Sequence, residues 1–438
     1  MIGAWLLGCQ PSDPPAPPPA PDPFTTSSPE PTPPSPEVPG IAEVLGDCGG
    51  AFQEPNAYPN QLRQGTDLHR LTLAAEGAVC GDGTAAALYV RAATDPAETA
   101  SWILHLQGGG DCVSFEECEV RWCGTEGFYD ASKMSATWAP DPVGAAGIVS
   151  ASAGASAVKT WNQAYFYYCS SDLWSGQGTA LLTSEDGTRQ MQVERRGHTI
   201  LDAGLAALEA GAIADDKSQA LTSILDADRV WFTGTSAGSV GAQMHLDWAA
   251  ERLPGADVRG VFDAAVRPDP TTVQPSVSAN LAAVLQARFS ERVAQESPSP
   301  FQPANCEQST PEPDQWQCSA SSYLPYLWVE TPFFAKMDLF DSAAWDDYAA
   351  AGATREEYSS AIAASLDLLA SREIDGQPTG VFGAACGQHV ALEEDWWFFK
   401  AAISDGVAPV TLHDAVLDAM SGLPVKLLDP DRTLSKCQ

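Results

Sequence analysis

Arg229-Val230-Trp231-Phe232 leads through Gly234-Thr235-Ser236-Ala237-Gly238 to Met244, Leu246, Trp248 and Leu253: a buried-strand pattern, a five-residue turn, then a helix with an apolar face. Glycine at both ends of a G-x-S-x-G turn permits the sharp, strained backbone that lifts a serine hydroxyl above the end of a sheet. The same strand-into-loop grammar recurs. Trp102-Ile103-Leu104-His105-Leu106 enters Gln107-Gly108-Gly109-Gly110, and Tyr165-Phe166-Tyr167-Tyr168 enters Cys169-Ser170-Ser171-Asp172, with a helix expected from about Thr199 to Ala210. Val258 to Phe262, Phe333 to Leu339 and Gly380 to Gly383 supply further strands. Strands alternating with helices predict an α/β class: a mostly parallel sheet with helices on both faces.

The turn sets a chemical problem that other residues must solve. A serine nucleophile needs oxyanion donors, a base and an acid. One donor is the N–H of Ala237, and the others are expected from the Gly108–Gly110 loop, whose small residues let backbone N–H groups approach an oxyanion. Six histidines are candidates for the base. His245 lies nine residues along the nucleophile's own helix, about 13 Å away, which is too far. His105 sits in a strand, His198 precedes a helix, and His69 lacks a strand-end context; His413, opening a late helix, remains a competitor. His389, in the turn after Gly380–Gly383, fits the order serine, acid, histidine of α/β-hydrolases best. The acid should follow a strand between the two. Asp341 closes the Phe333–Phe340 stretch, whereas Asp338 is placed within the strand and Asp346 and Asp347 within the next helix.

Composition bounds the setting. The 438 residues carry 23 Lys plus Arg against 57 Asp plus Glu, a net charge of -34, which argues against nucleic acid and against polybasic membrane docking. Leu6-Leu7-Gly8-Cys9 resembles a lipobox, so residues 1–8 read as a lipoprotein signal remnant and Cys9 as the lipidation site. Between Pro11 and Gly40 lie 14 of the 34 prolines, and residues 9–42 read as a lipid-anchored, extended linker. Residues 43–438 form the expected α/β-hydrolase domain, with 268–326, richer in Pro, Ser and Gln, as a cap or long insertion. Of eleven cysteines, ten remain beyond Cys9, which predicts up to five disulfides and an exported protein. No Cys/His cluster has zinc-site spacing, and neither a metal nor an organic cofactor is expected.

With these residues in view, the chain resembles the pectinacetylesterase/Notum family of carboxylester hydrolases. The similar pieces are LQGGGDCVSFEEC (Leu106 to Cys118), WNQAYFYYCSSDLWSG (Trp161 to Gly176), RGHTIL (Arg196 to Leu201), FTGTSAGSVGAQMHLD (Phe232 to Asp247), WQC (Trp316 to Cys318), LFD (Leu339 to Asp341) and ACGQH (Ala385 to His389). The YCSSDLWSG segment is far more specific than the serine turn. The resemblance implies an α/β-hydrolase-like fold, catalytic Ser236, Asp341 and His389, and oxyanion donors at Gly109, Gly110 and Ala237. It also implies a local disulfide between Cys112 and Cys118 and a place for another between Cys306 and Cys318. Two positions depart. Gly110-Asp111 stand where the family carries an aromatic, so a pocket wall is expected to be missing, and Asp263-Ala264-Ala265 replaces Asp-Ser/Ala-Gly.

The expectation is a membrane-tethered bacterial envelope lipoprotein that removes acetyl or other short acyl esters from a glycan or small ester. It touches the membrane only through Cys9. The rival readings are a long-chain acyl-ester hydrolase, an amidase or peptidase using the same triad, and a non-catalytic surface binding protein on the same scaffold.

Overall fold

The computed structural model describes residues 38–56, 62–125, 129–151, 157–343, 345–404 and 408–430. The signal remnant, Cys9 and nearly all of the expected linker lie outside these residues, as does Cys437. Val38–Gln438 forms one compact unit. Ile41, within the stretch read as linker, is already buried, in a cluster with Phe115, Trp122 and Met134.

A ten-stranded sheet runs through this unit in the order Lys426–Leu428, Gly380–Gly383, Phe333–Lys336, Asp257–Asp263, Arg229–Thr235, Ser101–Leu106, Asn162–Phe166, Ala87–Arg91, Arg63–Thr72 and Val143–Gly144. The first seven are mutually parallel, and the last three join antiparallel. The fold is thus the mostly parallel α/β sheet that the alternating pattern predicts. Every residue of Ser101–Leu106, Asn162–Phe166, Phe333–Lys336 and Gly380–Gly383 is buried, as strands covered on both faces must be. Helix Ala237–Arg252 packs on Arg229–Thr235 and Asp257–Asp263, and helix Arg355–Ala370 packs on Gly380–Gly383.

Parallel register aligns the strand ends. Leu106 pairs with Gly234, Thr235 with Asp263, Asp263 with Lys336 and Lys336 with Phe382. The loops that leave these ends therefore meet along one edge, where open α/β sheets place their ligands. One boundary differs from the sequence reading: the strand from Phe333 stops at Lys336, so Asp338 follows the strand instead of lying inside it. The segment 268–326 contributes the 21-residue helix Pro275–Gln295, and Leu285, Phe289 and Trp316 from it line the cavity over this edge.

Candidate active site

Ser236 sits between strand Arg229–Thr235 and helix Ala237–Arg252 with φ +52, a left-handed conformation that costs a non-glycine residue energy. Its surroundings hold it there. The Ser236 N–H donates to the Asp263 carbonyl at 3.0 Å. A Cβ at Gly108 would come within 2.7 Å of the Thr235 oxygen, and one at Gly238 would collide with the backbone of Leu106 and Gln107. Glycine at these two positions is what lets the loop after Leu106 lie against the serine turn.

His389 Nε2 stands 2.8 Å from Ser236 Oγ. On the other side, His389 Nδ1 lies 3.1 and 2.9 Å from the two carboxylate oxygens of Asp341. Asp341 is fully buried and also accepts the Ala343 N–H at 2.8 Å. The three residues picked from strand-end order are brought within hydrogen-bond reach of one another. Gly110 and Ala237 line the same cavity as Ser236 and His389, and the N–H groups of Gly109 and Gly110 have no acceptor among the described residues. The other histidines are engaged elsewhere. His413 bonds Asp414, His69 bonds Asp216 and Ser218, and His198 stacks on His245 and Phe301.

Sequence reasoning missed the groups beneath the histidine loop. Asp338 accepts the Gln388 N–H at 3.1 Å, and Asp263 accepts the N–H groups of Ala391 and Leu392 at 2.7 and 2.8 Å. Lys336 Nζ sits between them, 3.2 Å from Asp263 and 3.3 Å from Asp338. Burial alone would lower the Lys336 ammonium, but Asp263 and Asp338 outweigh it and push its pKa up. Burial pushes the Asp338 carboxyl up to about 6, against the pull of Lys336. Further along the loop, Glu393 accepts from His105 (3.1 Å), Tyr165 (2.8 Å) and Thr235 (2.9 Å). Burial would raise Glu393, yet His105 and the two hydroxyls hold it below its ordinary value. The available signal was charge at the ends of otherwise apolar strands: Asp263, Lys336 and Asp338.

The cavity beside Ser236 holds about 350 Å³. Gly110 and Asp111 do not leave its wall open. Arg121 lies over the Tyr129 ring at 4.5 Å beside Gly110, and Asp111 binds Arg288 (3.2 Å) and Arg292 (2.6 Å) of helix Pro275–Gln295. Burial would raise the Asp111 carboxyl; Arg288 and Arg292 reverse that and hold it at about 2. Arg267, paired with Asp347 at 2.5 Å, adds a fourth guanidinium to the cavity lining. Ala264, at the second departure, adopts φ +64.

Disulfides join Cys48 to Cys123, Cys80 to Cys169, Cys112 to Cys118 and Cys306 to Cys318, and Cys386 is disulfide-bonded as well. Among the described residues, no group of three His, Cys, Asp or Glu is placed to hold a metal ion.

The family model for pectinacetylesterase matches residues 60–429. Palmitoleoyl-protein carboxylesterase notum1 of Xenopus laevis is 26% identical over 298 residues, covering 65% of this chain and 54% of that protein. Human palmitoleoyl-protein carboxylesterase NOTUM is 25% identical over 304 residues, 65% of this chain and 53% of that one. Pectin acetylesterase 5 of Arabidopsis thaliana is 27% identical over 204 residues, 45% of this chain and 42% of that one. The chain thus spans about half the length of the curated relatives it matches. A crystal structure of the Wnt deacylase Notum from Drosophila superposes with a TM-score of 0.62 at 22% identity, covering 84% of this chain and 98% of that one, and so shares its fold. With the family model spanning nearly the whole compact unit, the chain belongs to the pectinacetylesterase family.

Proposed function

We propose that the protein is a serine carboxylester hydrolase. Ser236 Oγ attacks the ester carbonyl while His389 Nε2 takes its proton, and Asp341 fixes the tautomer and steadies the imidazolium. The N–H groups of Gly109, Gly110 and Ala237 receive the charge that develops on the carbonyl oxygen. His389 then protonates the leaving alcohol, and water repeats the sequence to free the acid and the enzyme. The observation that carries this reading is the unbroken hydrogen-bond chain from Asp341 through His389 to Ser236 at the mouth of a cavity. A fluorophosphonate should label wild-type Ser236, and Ser236→Ala should lose both labelling and p-nitrophenyl acetate hydrolysis. Retained hydrolysis in the purified variant would dismiss it.

The relatives are named for palmitoleoyl-protein and pectin esters, and here the reading is a short-acyl esterase. A long acyl chain in this cavity would cover the partly exposed guanidinium groups of Arg267 and Arg288 without offering them hydrogen bonds, which is costly. The four arginines support a second reading of the alcohol side: an ester with a negative charge near the scissile bond. Comparing acetylated neutral and acidic sugars separates the two. Disulfides support export, and lipidation at Cys9 within a proline-rich tether is the accompanying proposal, tested by intact mass and by membrane release of Cys9→Ser.

A further inference from the structure

Five consecutive carbonyls, from Gln107 to Asp111, each accept a hydrogen bond from a side chain. Trp174 Nε1 donates to Gln107 (3.1 Å), Lys133 Nζ to Gly108 (2.6 Å) and Arg121 to Gly109 (2.6 Å). Tyr168 Oη donates to Gly110 (2.8 Å), and a second Arg121 nitrogen donates to Asp111 (2.8 Å). Lys133, Tyr168 and Trp174 are almost wholly buried, and Arg121 is 5% exposed. In a planar trans peptide the carbonyl of one residue and the N–H of the next point in opposite directions. Fixing the Gly108 carbonyl therefore aims the Gly109 N–H, and fixing the Gly109 carbonyl aims the Gly110 N–H. Glycine peptides reorient easily, so a loop of three has no stiffness of its own.

We infer that Lys133 and Arg121 are positioning residues that preset the Gly109 and Gly110 N–H groups toward the developing oxyanion, with Tyr168 and Trp174 holding the flanking peptides. The inference rests on the serine hydrolase reading above. It also gives a role to the Tyr168–Gly176 segment, which supplies two of the four donors. The supports are braced covalently. Cys118 and Cys123 tie both halves of helix Phe115–Cys123, which carries Arg121, and Cys169 pins the loop of Tyr168 and Trp174 to Cys80.

The test uses the full chain, p-nitrophenyl acetate and a trifluoromethyl ketone. Ser236 Oγ adds to the ketone carbon, its proton passes to His389, and the carbonyl electron pair becomes an oxyanion in the same place. Lys133→Met and Arg121→Lys should lower kcat by about tenfold to a hundredfold, at or below the roughly hundredfold to thousandfold that deleting one oxyanion donor outright costs. KM should stay within about twofold, and the ketone Ki should weaken by the same factor as kcat/KM. Arg121→Lys retains the charge, so it carries the test should Lys133→Met fail to fold. A ketone Ki equal to wild type in the folded variants, or a loss confined to KM, would overturn the inference while leaving the hydrolase reading standing. A wild type without activity, or an active Ser236→Ala, would overturn both.

Discussion

His389, partly exposed, and His413, buried, are both bonded to an aspartate through Nδ1, at 2.9 Å in each case, so that bond alone does not separate them. What separates them is the second nitrogen. His389 Nε2 meets Ser236, whereas His413 Nε2 is buried without a partner among the described residues, against Phe398 and Phe399. His389→Ala should therefore reduce ester turnover by about 10⁴ or more, as loss of a triad member does. His413→Ala should keep kcat and change only the melting temperature. Parallel kcat and melting measurements on the two variants check this, and a similar fall in kcat for both would reopen the choice of base.

Strand ends position the histidine loop through the buried trio Asp263, Lys336 and Asp338. Lys336→Met would leave two buried carboxylates uncompensated, a loss of about 3–5 kcal/mol that a denaturant titration should show. Asp338 adds a pH signature. The folded protein keeps its proton up to about pH 6, while an unfolded aspartate releases it near about pH 4. The raised value means that this group favours the fold at low pH and that its contribution is lost as the pH climbs between those values. Asp338→Asn removes that contribution, so the variant's melting temperature relative to wild type should rise from pH 4 to pH 6; a constant difference would contradict it. Here too lies the limit of what the sequence makes legible. Apolar runs and glycine turns mark the strands and the serine turn, and strand-end order picks out Ser236, Asp341 and His389. Asp263, Asp338 and Glu393 hold partners from 50 to 288 residues away, which no local pattern encodes. The absent aromatic at Gly110-Asp111 is legible in the sequence, but the pairing of Asp111 with Arg288 and Arg292 is not, because those partners lie 177 and 181 residues further on.

At the scale of the whole molecule, two loops of 75 and 89 residues are closed by disulfides, each expected to contribute more than about 3 kcal/mol. Reduction should lower the melting temperature, and native mass should show no free thiol among the ten domain cysteines. Charge works on two length scales. The chain carries -34, yet Arg121, Arg267, Arg288 and Arg292 line one cavity together with Asp111, Asp346 and Asp347. The global field acts over a Debye length of about 8 Å at physiological salt and repels any polyanion. Inside the cavity that field gives way to guanidinium donors, and a single negative group is favoured at contact. A polyanionic acetylated glycan is therefore expected to react more slowly than a neutral one at low salt, because it must approach through the repulsive field. Added salt should raise its kcat/KM and narrow the gap. A small acetyl ester with one negative charge meets little of that field and should show a lower KM than its neutral analogue, with salt raising that KM. Across acyl length, acetyl and butyryl esters should outpace palmitoyl, because the guanidiniums that stabilise a charge penalise a hydrocarbon chain. Measuring kcat/KM for the four substrates from low to physiological salt decides the matter. A polyanion preferred at low salt, or palmitoyl turned over fastest, would show that the arginine wall does not face the bound ester.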